Sequence, residues 1–138
     1  ILIWASTAKQ YRAEVLGRLF GGIMFGLSAQ IALRLVVSQL RPDVSEPTIP
    51  DNLIEQVTLR GFTSGHAFRS AFLFGWILTR INDFRLWQVL AIRIICLAII
   101  ALVGVSRLAL NRHFASDVVG GWILAAIALI VVCRKYNT

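Results

Sequence analysis

Apolar residues are collected in four long blocks, separated by shorter polar segments. Apolar blocks of this kind, with few charged residues inside them, are typical of helices that cross a membrane. The pattern predicts four spanning helices, which cover about Leu16–Leu40, Gly65–Leu78, Val89–Val105 and Phe114–Cys133. We therefore expect an all-α fold, a multi-pass transmembrane helix bundle, with residues 1–138 forming one domain.

The polar segments set the boundaries of these blocks. Pro42 cannot continue a helix and should end the first span. The polar stretch Asp43–Phe62 then predicts a loop outside the membrane, and Ser106–Arg112 predicts a tight connection between the last two spans. The second block is short for a crossing of roughly 20 residues, so we expect other helices to shield its start.

Composition supports a membrane protein. The chain is 57% hydrophobic and 15% charged, with a mean hydropathy of +0.73, which is too apolar for an ordinary soluble domain. The net charge is +7, but the basic residues lie between apolar spans. We therefore expect the lipid bilayer and an anionic ligand as partners, and no nucleic acid. The sequence does not predict an oligomeric state.

The distribution of charge predicts an orientation. If the four spans alternate, one side carries 8 basic and 2 acidic residues and the other carries 6 basic and 5 acidic residues. Basic residues are enriched in cytoplasmic loops, so the first side should face the cytoplasm. The polar motifs described below would then lie on the extracytoplasmic face. We expect a bacterial inner-membrane protein whose site opens to the periplasmic or outer side.

Two of the polar motifs could bind an anion. Arg34 and Arg41 are seven residues apart, about two helical turns, so they could clamp a phosphate from one helix face. Ser64 is a plausible N-cap, and the N–H groups that follow, from Gly65 onward, would favour an anion beside His66. Taken alone, each motif has a commoner explanation. The arginines could anchor the interface, and the serine could simply cap a helix.

The third motif is the most specific. Asp117 follows His113 by four residues, so its carboxylate can reach the imidazole and fix one tautomer. The other ring nitrogen would then be free to attack phosphorus. Arg107 lies across the predicted turn and could supply positive charge. A surface His–Asp pair is the alternative. It is weaker because both histidines of the chain fall on the same predicted side beside arginines.

Together the motifs resemble a known family. Arg34-x6-Arg41-Pro42, Thr63-Ser64-Gly65-His66 and Ser106-Arg107-x5-His113-x3-Asp117 are similar in order and spacing to the three signatures of the type 2 phosphatidic acid phosphatase (PAP2) family. Two positions depart from the usual pattern, because Arg34 replaces a lysine and Thr63 replaces a proline. Membrane members of the family resemble six-helix bundles, so we expect two N-terminal helices to be missing from this chain.

The resemblance implies a role for each matching residue. His113 would be the nucleophile that forms a phosphohistidine, Asp117 would orient it, and His66 would be the general acid. Phosphate would be bound by a set of five residues, Arg34, Arg41, Ser64, Gly65 and Arg107. The resemblance implies no cofactor and no metal ion.

Three functions fit these motifs. The first is an integral membrane lipid phosphatase that cleaves a phosphomonoester or diphosphate, for example phosphatidic acid, phosphatidylglycerophosphate or undecaprenyl diphosphate. The second is an enzyme like the vanadate-dependent haloperoxidases, which share the signatures but are soluble. The third is an anion channel or transporter lined by arginines, in which the His–Asp pair would have no evident use.

Overall fold

The structure is a computed structural model that describes residues 2–37, 39–44, 52–81 and 84–133. Within those residues the chain forms α-helices and no β-strand, which agrees with the expected all-α fold. The five helices are α1 (Leu2–Val36), α2 (Leu53–Leu59), α3 (Gly65–Leu78), α4 (Leu86–Ala109) and α5 (Ala115–Cys133).

Helix α3 lies at the centre and contacts α1, α4 and α5. Its aromatic residues Phe68, Phe72 and Trp76 recur every four residues, which places them on one face. Their rings stack in sequence, with centroids 5.8 Å and 6.4 Å apart. Phe68 and Phe72 are fully buried and pack with apolar residues of α5. The core of the bundle is therefore built around the shortest of its four long helices.

Glycine residues allow α1 to pack closely against this core. A Cβ atom at Gly22 would collide with the ring of Phe72, and one at Gly26 would collide with the ring of Phe68. Gly121 of α5 is similarly constrained, since its Cβ would lie 2.7 Å from the backbone oxygen of Ser64. Small residues at such contacts are the usual means by which membrane helices approach one another.

The prediction of four spanning helices is wrong by one. Among the described residues, three helices are long and apolar enough to cross a membrane, namely Gln10–Val36, Leu86–Ala109 and Ala115–Cys133. Helix α3 begins and ends where the sequence predicted, but its 14 residues extend only about 21 Å, against a hydrocarbon thickness of about 30 Å. Helices α1, α4 and α5 pack against the face of α3 that carries the fully buried Phe68 and Phe72, while Leu73 and Ile77 on another face are exposed.

The first helix ends earlier than predicted. It stops at Val36, so Arg41 is not on the helix that carries Arg34, and the predicted two-turn spacing does not apply. The guanidinium of Arg60 donates to the backbone oxygens of Arg34 and Leu35, at 2.8 and 2.7 Å. Those bonds satisfy carbonyls at the end of α1, and the chain then turns toward Pro42.

The segment predicted as a loop contains α2. Asn52 caps this short helix, because its side-chain oxygen accepts from the N–H of Glu55 at 2.9 Å. Residues 45–51 of that predicted loop lie outside the described residues. After α2, the backbone of Gly61 donates to Gln39 at 2.9 Å, and that of Arg41 donates to Leu59 at 3.2 Å. This pairing ties the segment after α1 to the segment before α3.

Candidate active site

The start of α3 forms one wall of the site. Ser64 is the N-cap that the sequence predicted, and its hydroxyl accepts from the N–H of Ala67 at 3.4 Å. Ser64 is fully buried, and its own N–H donates to the backbone oxygen of Asp117 at 2.9 Å. The first N–H groups of a helix have no partner within it, so those of Gly65 and His66 are available to an anion.

His113 and Asp117 make the contact that their spacing predicted. Nδ1 of His113 lies 3.3 Å from Oδ2 of Asp117, and both side chains are buried. The same carboxylate oxygen accepts from the N–H of Phe114 at 3.0 Å, which fixes its position at the start of α5. A carboxylate oxygen can only accept, so a hydrogen bond between the two atoms requires the proton on Nδ1 and leaves the lone pair on Nε2. The pair thus presents an imidazole in the tautomer that a nucleophile requires.

The chain between α4 and α5 brings Arg107 next to His113. Arg107 belongs to the last turn of α4, whereas the sequence had placed Ser106 and Arg107 in the connection. Asn111 adopts a left-handed conformation, with φ of 51°. The N–H of Asn111 donates to Leu108, and that of Arg112 donates to Arg107. This is a Schellman motif, which ends the helix and reverses the chain within a few residues.

Arg34 and Arg41 reach the site from two different segments of the chain. Arg34 reaches it from the end of α1, and its two terminal nitrogens donate to the backbone oxygens of Val57 and Thr63, both at 3.2 Å. A lysine ammonium could not span both carbonyls in the same way, because it is a point charge on a flexible stem. The arginine at this position therefore also fastens α1 to the segment that precedes α3.

Arg41 reaches the site from the paired segment after α1. Gly61 lies opposite it, and a Cβ at Gly61 would lie 3.4 Å from Cγ of Arg41 and 3.0 Å from Oδ2 of Asp117. Any residue larger than glycine at position 61 would therefore crowd the side chains of both Arg41 and Asp117. Among the described residues, Nε of Arg41 has no hydrogen-bond partner although it is buried.

These elements enclose a cavity of about 460 Å³ at one end of the bundle. It brings together residues from all three sequence motifs, and its walls are formed by Arg34, Arg41, Gly65, His66, Arg69, Arg107, Leu110, Arg112 and His113. Ser64 and Asp117 lie behind this wall, where one caps α3 and the other holds His113. Residues far apart in the chain thus form one basic cavity around the two histidines.

Five arginines line the cavity, and the sequence motifs predicted no role for two of them, Arg69 and Arg112. Arg69 follows His66 by three residues on α3, a spacing that places both on one helix face. That spacing was a usable signal, but a surface arginine on a helix is common. Arg112 directly precedes His113, and it pairs with Asp43 at 2.8 Å.

Electrostatics favour neutral histidines in the free site. Burial lowers the pKa of His113, although the hydrogen bond and the charge of Asp117 oppose this effect. His66 lies at the start of α3, outside the three candidate spans. Partial burial and then the charges of Arg107 and Arg69 lower the pKa of His66. A bound phosphate dianion would offset those positive charges and favour the protonated form of His66.

The apolar helices fit a membrane protein, and the buried His–Asp pair stands beside a cavity whose arginines suit an anionic ligand. The sequence model of the PAP2 superfamily matches residues 15–138. No curated protein and no solved structure matches the chain. The match extends over most of the chain and includes all three motifs, so the protein belongs to the PAP2 superfamily. Membership supports phosphatase activity in general and agrees with the family resemblance of the motifs.

Proposed function

We propose that the protein is an integral membrane phosphatase that hydrolyses a lipid phosphomonoester or diphosphate through a phosphohistidine. The observation that supports this most strongly is the buried His113–Asp117 pair beside a cavity lined by arginines and a second histidine. The pair supplies a nucleophile, the arginines supply positive charge for phosphoryl oxygens, and His66 supplies an acid.

The first step transfers the phosphoryl group to the protein. Nε2 of His113 attacks phosphorus, a new N–P bond forms, and the bond from phosphorus to the leaving oxygen breaks. His66 donates its proton to that oxygen, so that the lipid alcohol departs neutral. Asp117 stabilises the imidazole as it gains positive charge, and it does so from a fixed position on α5.

The second step regenerates the free histidine. Water attacks the phosphohistidine, the N–P bond breaks, and inorganic phosphate leaves. His66 was deprotonated in the first step and can therefore accept the proton of the attacking water. Throughout, the guanidinium groups of Arg41 and Arg107 and the N–H groups at the start of α3 stabilise the negative oxygens. Arg34 contributes charge and fixes the geometry of the wall.

A lipid substrate is proposed from the surface of the helices. Apolar side chains are well exposed along α4 and α5, for example Leu90, Leu102 and Ile123. Such surfaces fit acyl or prenyl chains of a bilayer. The cavity lies at one end of this apolar bundle, where a phosphorylated headgroup would meet it. Although α3 is too short to count as a span, it starts at the cavity and ends where Arg80 donates to Tyr11 of α1, so the charges still divide between two ends of the bundle. Because the motif-bearing end carries the smaller basic excess, we place it on the extracytoplasmic side.

Hydrolysis is expected to be independent of metal ions and to be inhibited by vanadate. The site already supplies a nucleophile, an acid and charge stabilisation, while Asp117 is committed to His113. Vanadate adopts the five-coordinate geometry of the transition state, so it should bind tightly and compete with substrate. Phosphate release by purified protein from a panel of lipid phosphates, with and without EDTA, tests this. Activity that is lost in EDTA, restored by Mg²⁺ and indifferent to vanadate would contradict the proposal.

The pH dependence of kcat/KM should report both histidines. Activity requires neutral His113, so it is lost as pH falls through the pKa of His113. That pKa is lowered by burial, so the acid limb should lie below the ordinary histidine value of about 6.5. The alkaline limb should reflect loss of the His66 proton, and it should move to higher pH in kcat, since bound phosphate favours protonated His66.

The matched control for this profile is His66→Ala. This variant should keep the acid limb and lose the alkaline limb. An acid limb above pH 7 in the wild type, or one that His66→Ala removes, would show that the neutral form of His113 does not govern activity.

A further inference from the structure

We propose that Arg69 binds a second phosphate group of the substrate, so that the preferred substrate is a lipid diphosphate rather than a lipid monophosphate. This inference rests on the proposed function, because it assumes hydrolysis at His113. It adds a residue outside the three sequence motifs and selects one of the two substrate classes that those motifs allow.

The position of Arg69 is fixed toward the cavity. Its Nε donates to the backbone oxygen of Gly65 at 3.1 Å, which holds the guanidinium beside the first turn of α3. A Cβ atom at Gly65 would lie 3.4 Å from Nη2 of Arg69, an ordinary contact distance that places the guanidinium directly beside Gly65. Arg69 and His66 then border the same cavity from one face of α3.

The charge of Arg69 is not paired with an acid in the part of the chain that the structure describes. Within the described residues, the acids beside the cavity are engaged elsewhere, because Asp117 holds His113 and Asp43 pairs with Arg112. Arg69 makes no ion pair in that part of the chain. Three arginines of the motifs and the start of α3 already provide for one phosphoryl group. An additional uncompensated guanidinium in the same cavity is best explained by a further anionic group on the ligand.

The leaving group identifies where that second anion lies. His66 protonates the leaving oxygen, and Arg69 borders the cavity beside it on the same face of α3, with its guanidinium held back against the backbone oxygen of Gly65. The lipid chain must extend toward the membrane, so the group between the transferred phosphoryl and the lipid would lie beside Arg69. In a diphosphate this group is the inner phosphate.

The reaction balances with no further reactant. Nε2 of His113 forms a bond to the terminal phosphorus, and the bond from that phosphorus to the bridging oxygen breaks. The lipid monophosphate leaves with the electron pair of that bond, and Arg69 neutralises its growing charge. Water then releases inorganic phosphate from His113. A cavity of about 460 Å³ can hold both phosphates, since pockets of 300–1,000 Å³ hold much larger ligands.

The test compares kcat/KM for a short-chain prenyl diphosphate and the corresponding prenyl monophosphate. We expect the wild type to prefer the diphosphate by about tenfold or more, as one charge-assisted contact would give. Arg69→Gln should lower kcat/KM for the diphosphate by roughly 10- to 100-fold and for the monophosphate by less than about threefold. Arg69→Lys should recover most of the preference. Arg12→Gln removes the same formal charge from an exposed position of α1 outside the cavity lining and should leave the ratio near that of the wild type.

The outcomes separate this inference from the proposed function. If the wild type hydrolyses neither substrate, the proposed function itself fails. If it hydrolyses both equally well, or if Arg69→Gln lowers both by the same factor, the diphosphate inference is overturned while the phosphatase stands. Thermal unfolding in detergent checks that Arg69→Gln is folded. If Arg69→Gln does not fold, the inference is decided by the ratio of kcat/KM for the diphosphate to kcat/KM for the monophosphate, measured in the wild type and in Arg69→Lys.

Discussion

Replacement of His113 by alanine is expected to reduce phosphate release by roughly 10⁴- to 10⁶-fold, as is typical when an enzyme loses its nucleophile. No other residue in the cavity can take over, because His66 is held by no carboxylate among the described residues. The measurement is steady-state release of phosphate by purified, monodisperse protein in detergent.

His113 is buried, so its removal could also disturb the start of α5. His113→Asn is the matched control, since its side-chain amide can still donate to Asp117 but offers no nucleophile. We expect this variant to unfold near the wild-type temperature and to be as inactive as His113→Ala. Turnover by either variant near the wild-type rate would exclude His113 as the nucleophile.

Replacement of His66 by alanine is expected to have the second largest effect. Loss of a general acid typically costs about 10²- to 10⁴-fold, and we expect a loss of this size for alkyl phosphates. The loss should be far smaller for aryl phosphates, since an aryl oxide leaves without a proton. Steady-state kcat/KM for a matched pair of alkyl and aryl phosphates measures this difference.

His66 is an exposed side chain at the start of α3, so alanine should not disturb the fold. His66→Gln serves as a control that keeps hydrogen bonding but cannot donate a proton to a leaving alkoxide. Equal losses for both classes of substrate would mean that His66 binds phosphate and does not protonate the leaving group.

Local sequence signals predicted the parts of the fold that depend on neighbouring residues. Helix α3 begins and ends at the predicted residues because Ser64 caps it and the apolar run stops at Leu78. The His113–Asp117 contact was also predictable from spacing alone. The shortness of the run also predicted that other helices shield the start of α3, but the pattern could not show which helices these are. An apolar run of 14 residues fits a membrane crossing or a helix enclosed by others.

Errors arose where distant residues decide the local structure. The end of α1 is set by Arg60, which follows 24 residues after Val36 and satisfies carbonyls of its last turn. No residue close to Val36 signals that contact, so the sequence pattern predicted a helix that continues to Leu40. At the end of α4 the error is the opposite, because the helix continues beyond the predicted end at Val105. The Schellman motif depends on one left-handed residue, Asn111, and α4 continues through Arg107 before it.

The positions of the candidate site residues agree with the sequence motifs, while their roles stay predictions. Of the eight residues that the motifs single out, six line one cavity, and Ser64 and Asp117 lie behind it. Arg69 was missed because helical spacing shows which residues share a face but not whether that face meets a cavity. Only the packing of α3 among its neighbours reveals that its first turns border the site.

The central claim is that phosphoryl transfer proceeds in two steps through His113. The most direct measurement is the stereochemical course at phosphorus, followed with a substrate that carries a chiral, ¹⁸O-labelled thiophosphate and is hydrolysed in ¹⁷O-water. Each in-line displacement inverts phosphorus, so transfer to His113 followed by transfer to water should give inorganic thiophosphate with overall retention of configuration. Overall inversion would show that water attacks the substrate directly, and it would contradict a phosphohistidine intermediate.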